Sequence, residues 1–274
     1  MTADGDGDRA MPLGDHLDEL RARMIRVLLL MVVMVVVCLV FQAQIKDLVE
    51  LPLRRALTMV DPLTLRRVGL ALEPGEALLK LMSLIEAPIQ AFKLALLFAF
   101  AGAFPYLLYQ LWSFIAPGLH RPERRVAFLM LPAAVLFFYA GAALGYRYGL
   151  PYLFKFLIEF NAIERAELEL RQSYYHSLFT MMTLAFGLVM DLPWLILVLV
   201  KAKVMTPAQI AARRRMLLLI GILLAAVFTP PDPFSQLMLF GIMIVMFESG
   251  LLAARLVYRR DQRSMADQEA DDAA

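Results

Sequence analysis

Long stretches of apolar residues without a single charge recur along the chain, and they constrain its fold more than any other feature. One of them reads VVMVVVCLVF, residues 32–41. A helix needs about 20 such residues to cross the hydrocarbon core of a bilayer. Six runs stand out as membrane helices: residues 27–45, 91–112, 126–146, 178–200, 216–229, and a sixth beginning at Phe234. They are continuously apolar and do not alternate, which specifies helices and not barrel strands. Hydrophobic residues make up 61% of the chain, with a mean hydropathy of +0.66, against roughly 45–50% apolar in a soluble domain. The expectation is an all-α integral membrane protein with six transmembrane helices and no internal repeat.

Basic residues in short connections set the orientation. Arg121, Arg124 and Arg125 follow the second run; Lys201, Lys203, Arg213, Arg214 and Arg215 follow the fourth; Arg21, Arg23 and Arg26 precede the first. The turn after the fifth run, PPDP, carries Asp232 and no base. The N-terminus, the two basic connections and the C-terminus are therefore cytoplasmic, at a bacterial or archaeal cytoplasmic membrane. The longer outer connections, about 46–90 and 147–175, have near-balanced charge; Pro52 and Pro62 are read as shaping a folded cap there. The fifth and sixth runs are short: 14 residues each, 216–229 and 234–247. At helical rise each is about 21 Å against a core of about 30 Å, which predicts a short hairpin that thins the bilayer or is shielded. Residues 1–12 and 259–274 read as polar, disordered tails, flanking a membrane domain over 13–258 with an amphipathic segment leading into its first helix.

Several functional classes are disfavoured. A net charge of +2, dispersed along the chain, gives no nucleic-acid surface. One cysteine, Cys38, and three histidines offer neither a disulfide nor a metal cluster, and no cofactor is expected. The N-terminus lacks the basic and apolar regions of a cleavable signal peptide. No nucleophile–base spacing suggests an enzyme.

Four segments carry polar chemistry. GDHLDELRARMIR, 14–26, is amphipathic: Leu13, Leu17, Leu20 and Met24 form a stripe, with Glu19, Arg23 and Arg26 on another face. Glu19 and Arg23 are spaced as a solvated i,i+4 pair or as part of a recognition surface. LWSFIAPGLHRPERR, 111–125, closes the second run with aromatics and places Glu123 near the start of the third helix, where its acid is stabilised by the helix dipole. LAFGLVMDLPWLI, 184–196, puts Asp191 inside the fourth run. An ionised acid there costs roughly 2.5–3.5 kcal/mol on insertion scales, so it faces a cavity, a partner helix or a proton. AVFTPPDPFSQ, 226–236, turns the hairpin, with Thr229 and Gln236 available for interhelical bonds. Asp191 by itself is compatible with a secondary transporter of a small solute or ion, with Asp191 as its proton or cation site. That reading would be strengthened by inverted repeats, which the chain lacks.

HLDELRAR, SFIAPGLHRPERR, AFGLVMDLP and TPPDPFSQ, in this order on six spans, resemble the TatC family, the multispanning receptor subunits of the twin-arginine protein translocase. The resemblance covers about His16 to Arg255. It implies a signal-peptide receptor at the core of a translocase that exports folded proteins using the proton-motive force. It implies docking of twin-arginine signal peptides at Glu19 and Glu123, with Arg21, Arg124 and Arg125 orienting the acids and Phe114 supporting the peptide's apolar part. It further implies single-span TatA/TatB-type partner subunits seated with help from Thr229 and Gln236, and a multimeric complex embedded in membrane lipids. One departure stands out. The family's usual glutamate after Phe-Gly-x-x-Phe is replaced here by Met190 and Asp191, keeping the acid with one methylene less reach. With the resemblance, Asp191 reads as a polar socket for a partner or signal-peptide helix.

Overall fold

A computed structural model describes residues 13–70, 79–80, 83–115, 121–164, 168–228 and 233–272, of which 13–16, 115, 121–127, 228, 261 and 264–272 are described in their backbone only. The expected N-terminal tail, 1–12, lies outside them. Helices α1 (Leu13–Val40), α4 (Glu86–Ile115), α5 (Arg121–Leu144), α7 (Gln172–Met190), α8 (Leu192–Lys201), α10 (Arg214–Phe228) and α11 (Pro233–Asp272) build the membrane body. Helices α2 (Gln42–Met59), α3 (Pro62–Arg67) and α6 (Leu150–Ile163) occupy the outer connections, and α9 (Pro207–Ala212) a cytoplasmic one. Among the described residues, five segments are long and apolar enough to cross a membrane: Leu17–Val40, Glu86–Phe114, Phe128–Ile163, Gln172–Lys201 and Pro233–Arg260. The remaining apolar helix, α10, corresponds to the fifth run and has only 15 residues, as that short run requires.

The amphipathic segment and the first span form one helix, α1, because neither Gly nor Pro interrupts residues 15–40. It packs chiefly along α4 and turns Leu28, Val32, Val36 and Val40 outward, the face a lipid-bathed helix presents.

The sixth helix is not short, contrary to the sequence-based expectation. The apolar run ends at Phe247, but α11 continues through Glu248, whose carboxylate pairs with Arg214 at the start of α10 at 2.7 Å. That ion pair lets the helix carry an acid past the end of the apolar run. Helical backbone also continues to Asp272, where a disordered tail was expected from 259. No Gly or Pro lies between Gly250 and Asp272, so nothing in that segment breaks the helix.

The third span likewise runs on. α5 passes through one π-helical turn, Gly145–Gly149, directly into α6. Gly141, Gly145 and Gly149 recur at spacing four, a stripe of small residues that lets another helix approach closely. A β-carbon on Gly145 or Gly149 would lie 2.6 or 2.5 Å from the Phe186 ring of α7; one on Gly141 would lie 2.5 Å from the Phe186 carbonyl.

The largest core cluster belongs to the cap as much as to the bundle. Val49, Leu53 and Leu57 of α2, Leu65 of α3, Leu153, Phe154 and Ile158 of α6, and Leu178 and Phe179 of α7 pack together. The two outer connections are laced by their backbones, Lys80 N–H donating to the Leu170 carbonyl at 2.9 Å and Gln172 N–H to that of Lys80 at 3.1 Å. Pro62 opens α3 while the Asp61 side chain accepts from Leu63 N–H, and Pro52 is buried within α2.

Pro52 lies inside α2 and Pro105 inside α4. Each removes the N–H that would meet the carbonyl four residues earlier, at Leu48 and Ala101. Tyr146 donates its hydroxyl to the Leu48 carbonyl, and Tyr139 donates to that of Ala101, both at 2.7 Å. Two tyrosines at a spacing of seven, Tyr139 on α5 and Tyr146 in the π-helical turn that follows it, thus fill both gaps.

Candidate functional site

Glu19 and Arg23 sit one turn apart on α1, and both Arg23 Nε, at 3.0 Å, and Nη2 donate to Glu19 Oε1. This is not a fully solvated pair: the side chains are 26% and 18% exposed. Arg23 Nη1 also donates to Gln110 Oε1 of α4 at 3.1 Å, and Gln110 Nε2 donates to the Tyr106 hydroxyl at 2.7 Å. A carboxylate on α1 is therefore held in place by a polar chain anchored on α4. Helical geometry explains why Arg23, rather than the expected Arg21, takes Glu19: i+4 returns to the same face, whereas i+2 points about 200° away.

Arg21 instead lines a groove of about 670 Å³ between α1 and α4. Its walls include Leu20, Met24, Leu28 and Met31 of α1, with Leu107 and Phe114 of α4. The groove is overwhelmingly apolar and meets Arg23 and Gln110 at its polar wall. Phe114 thus stands where an aromatic can support an apolar segment. Glu123 and Arg124 fall in the first turn of α5; their side chains lie outside the described set, as does that of Arg125.

Asp191 marks a break in the fourth span. α7 ends at Met190 and α8 begins at Leu192, because Pro193 cannot donate to the Val189 carbonyl. Asp191 N–H instead reaches the Leu188 carbonyl at 3.2 Å, and its own carbonyl accepts from Leu195 N–H at 2.9 Å. The Asp191 side chain is half-buried, and its Oδ1 is shielded with no hydrogen-bond partner among the described residues. The turn below it is anchored by Trp194. Trp194 donates Nε1–H to the Met130 carbonyl at 2.7 Å and meets the Trp112 ring edge-on at 5.7 Å. Above it, a β-carbon on Gly187 would lie 2.7 Å from Phe138, which stacks on Phe104 at 3.8 Å.

The intramembrane polar residues do not form one cluster. Pro193 packs against Gly250 of α11, and Gln236 lies 14 residues earlier on that helix, about 21 Å along the axis. Asp191 sits toward the Glu19 end, one turn from the Trp112–Trp194 contact, whereas Gln236 is at the hairpin end. Thr229 lies outside the described residues. Sequence reasoning overlooked Gln110, Tyr106 and the Gly141–Gly145–Gly149 stripe. The signals were present: Gln110 interrupts an apolar run as Asp191 does, and the glycine spacing is regular.

The family model for Sec-independent protein translocase protein (TatC) matches residues 15–241. The TatC of Azotobacter chroococcum is 31% identical over 267 residues, 97% of this chain and 98% of that protein. The TatC of Haemophilus influenzae is 31% identical over 258 residues, 94% of each chain. The TatC of Halothiobacillus neapolitanus is 31% identical over 259 residues, 94% of this chain but only 66% of that longer protein. A crystal structure of the twin-arginine translocase receptor TatC superposes with a TM-score of 0.72 at 27% identity, covering 88% of this chain and 98% of the solved one. A second TatC structure, in the detergent DDM, gives 0.71 at 26% identity, covering 87% and 99%. This breadth of agreement along the chain sets aside the solute-transporter alternative: the chain belongs to the TatC family, the multi-pass membrane subunits of the Sec-independent, twin-arginine protein translocase.

Proposed function

We propose that the α1–α4 groove is where a twin-arginine signal peptide lies, its arginines at the Glu19 end and its apolar segment along the groove. The observation that carries this reading is a carboxylate held by Arg23 and Gln110 beside an apolar channel. Guanidinium groups favour planar, bidentate acceptors, and a carboxylate offers about four lone-pair sites. The lengths agree. Leu17 to Met31 on the groove wall measures about 21 Å at helical rise, and a signal peptide's apolar region of about 7–15 residues spans roughly 10–22 Å as a helix. Glu123 and Arg124, in the first turn of α5, complete the polar end, and Arg21 and Phe114 line the channel. Single-span TatA/TatB-type subunits pack beside this chain at two levels, Asp191 toward the cytoplasmic side and Thr229 with Gln236 at the hairpin, in a multimeric complex that uses the proton-motive force.

The test is co-purification of the full-length protein with a twin-arginine signal peptide and with its twin-lysine counterpart, in wild type and in Glu19→Gln. Wild type retains the arginine peptide selectively. Glu19→Gln weakens it by about 2 kcal/mol, the low end for truncating a charge-paired group, because Glu19 keeps some solvent contact. Equal retention of both peptides by wild type refutes the docking assignment.

A further inference from the structure

A second polar site lies at the opposite end of the same two helices. Where α1 ends and α4 and α7 begin, a pocket of about 300 Å³ opens. Its polar wall comprises Gln42 and Lys46 of α2 and Gln172 and His176 of α7. His176 is only 1% exposed, and neither ring nitrogen has a hydrogen-bond partner among the described residues. Gln90, 3% exposed on the neighbouring α4, has an amide oxygen in the same condition. Natural proteins pair the large majority of their buried polar groups, and His176 lines a pocket that can admit such a partner. The nearby Glu86 carboxylate already accepts from Ser173 N–H at 3.0 Å, and Glu50 pairs with Arg54 at 3.1 Å. Lys46 is the cation at the pocket wall.

The remaining wall is aliphatic: Ala91, Leu94 and Ala95 of α4 and Cys38 of α1. It sits beside lipid-facing Val37 and Leu96. A ligand that satisfies both walls is an amphiphile with an anionic, hydrogen-bonding head and an apolar tail. We propose that this pocket binds the phosphodiester headgroup of an anionic membrane glycerophospholipid. The Lys46 ammonium neutralises the phosphate, the imidazole and amide N–H groups donate to its oxygens, and the amide oxygens accept from headgroup hydroxyls. The acyl chains leave along the outer faces of α1 and α4. The site lies at the seam where the membrane helices meet the cap, so an occupied pocket ties α1 and α2 to α7.

The experiment titrates the full-length protein, purified in neutral detergent, with phosphatidylglycerol, phosphatidylcholine or inorganic phosphate. Unfolding midpoint and lipid retention in native mass spectrometry are the readouts. Wild type is expected to gain midpoint with phosphatidylglycerol and to retain one such lipid. Lys46→Gln and His176→Gln each weaken that binding about tenfold, the scale of one lost charge-assisted bond. Lys155→Gln, which removes a cation paired with Glu159 on α6, leaves it unchanged. Phosphatidylglycerol binding as tight in Lys46→Gln as in wild type overturns the assignment, as does an equal response to phosphatidylcholine. A full midpoint gain from inorganic phosphate alone assigns the pocket to a free anion and overturns the lipid reading.

Discussion

Replacing Tyr139 by Phe tests whether α5 repairs the break that Pro105 makes in α4. The substitution removes one oxygen and keeps the ring, which packs against Phe138 at 5.6 Å. What is lost is the 2.7 Å bond to the Ala101 carbonyl. Pro105 has already deprived that carbonyl of its helical N–H, and Ala101 lies 15 residues into α4, deep in the span, where water is scarce. A stranded acceptor costs about 1–3 kcal/mol, and we expect about 2 kcal/mol for Tyr139→Phe. The control is internal. In a Pro105→Ala background the residue-105 amide bonds the Ala101 carbonyl itself, so Tyr139→Phe should then cost under about 1 kcal/mol, the net worth of an ordinary hydrogen bond. The double-mutant cycle read from reversible unfolding in detergent should therefore show a coupling of about 1 kcal/mol or more, within the range for residues sharing a network. Additive effects of the two substitutions would show that the tyrosine does not substitute for the missing amide, and the explanation of the Pro105 site would fall with it.

Gly149→Ala should destabilise the α5–α7 contact by about 1–3 kcal/mol, the usual range for overpacking, because its β-carbon would meet a buried aromatic ring at 2.5 Å. Gly221→Ala is the contrast: the clash there is with the flexible end of Met243, so gaining about 1 kcal/mol of helix propensity should leave thermal unfolding unchanged or improved. Asp191→Leu should insert and fold normally yet impair export or complex assembly; normal export together with normal assembly would reduce Asp191 to a packing residue. Breaking the half-exposed Arg214–Glu248 pair with Glu248→Gln should cost under about 1 kcal/mol, and a charge-reversed double variant should recover it in low salt.

Much of this protein is legible in one dimension because a bilayer imposes a one-dimensional test. Apolar length decides which segments cross, and the placement of arginine and lysine decides which end faces the cytoplasm. The short α10 followed from the spacing of Arg215 and Pro230 alone. The motifs around Glu19, Phe114, Glu123 and Asp191 were enough to bring the chain to its family, since they depend on residue type and order.

Side-chain partnership depends on faces and levels, which only packing decides. Arg21 and Arg23 are equivalent by composition and both line the groove, yet only Arg23 holds Glu19, because α4 presents Gln110 to a single face of α1. Asp191 and Gln236 look alike as intramembrane polar residues, but α8 and α11 run parallel with Pro193 level with Gly250, which leaves Gln236 about 21 Å along the helix axis from that contact. An apolar run ending at Phe247 reads as a short helix until Arg214, 34 residues earlier, supplies the partner that carries α11 past Glu248. The prolines announced breaks in the backbone; which carbonyls were repaired, and by which tyrosines, was settled when α5 came to lie against α4 and the π-helical turn after it brought Tyr146 to α2. The sequence determined the medium, the spans and the chemistry at stake, because those are sums over residues. Tertiary structure decided which groups meet, because a contact is made between surfaces that the chain brings together only on folding.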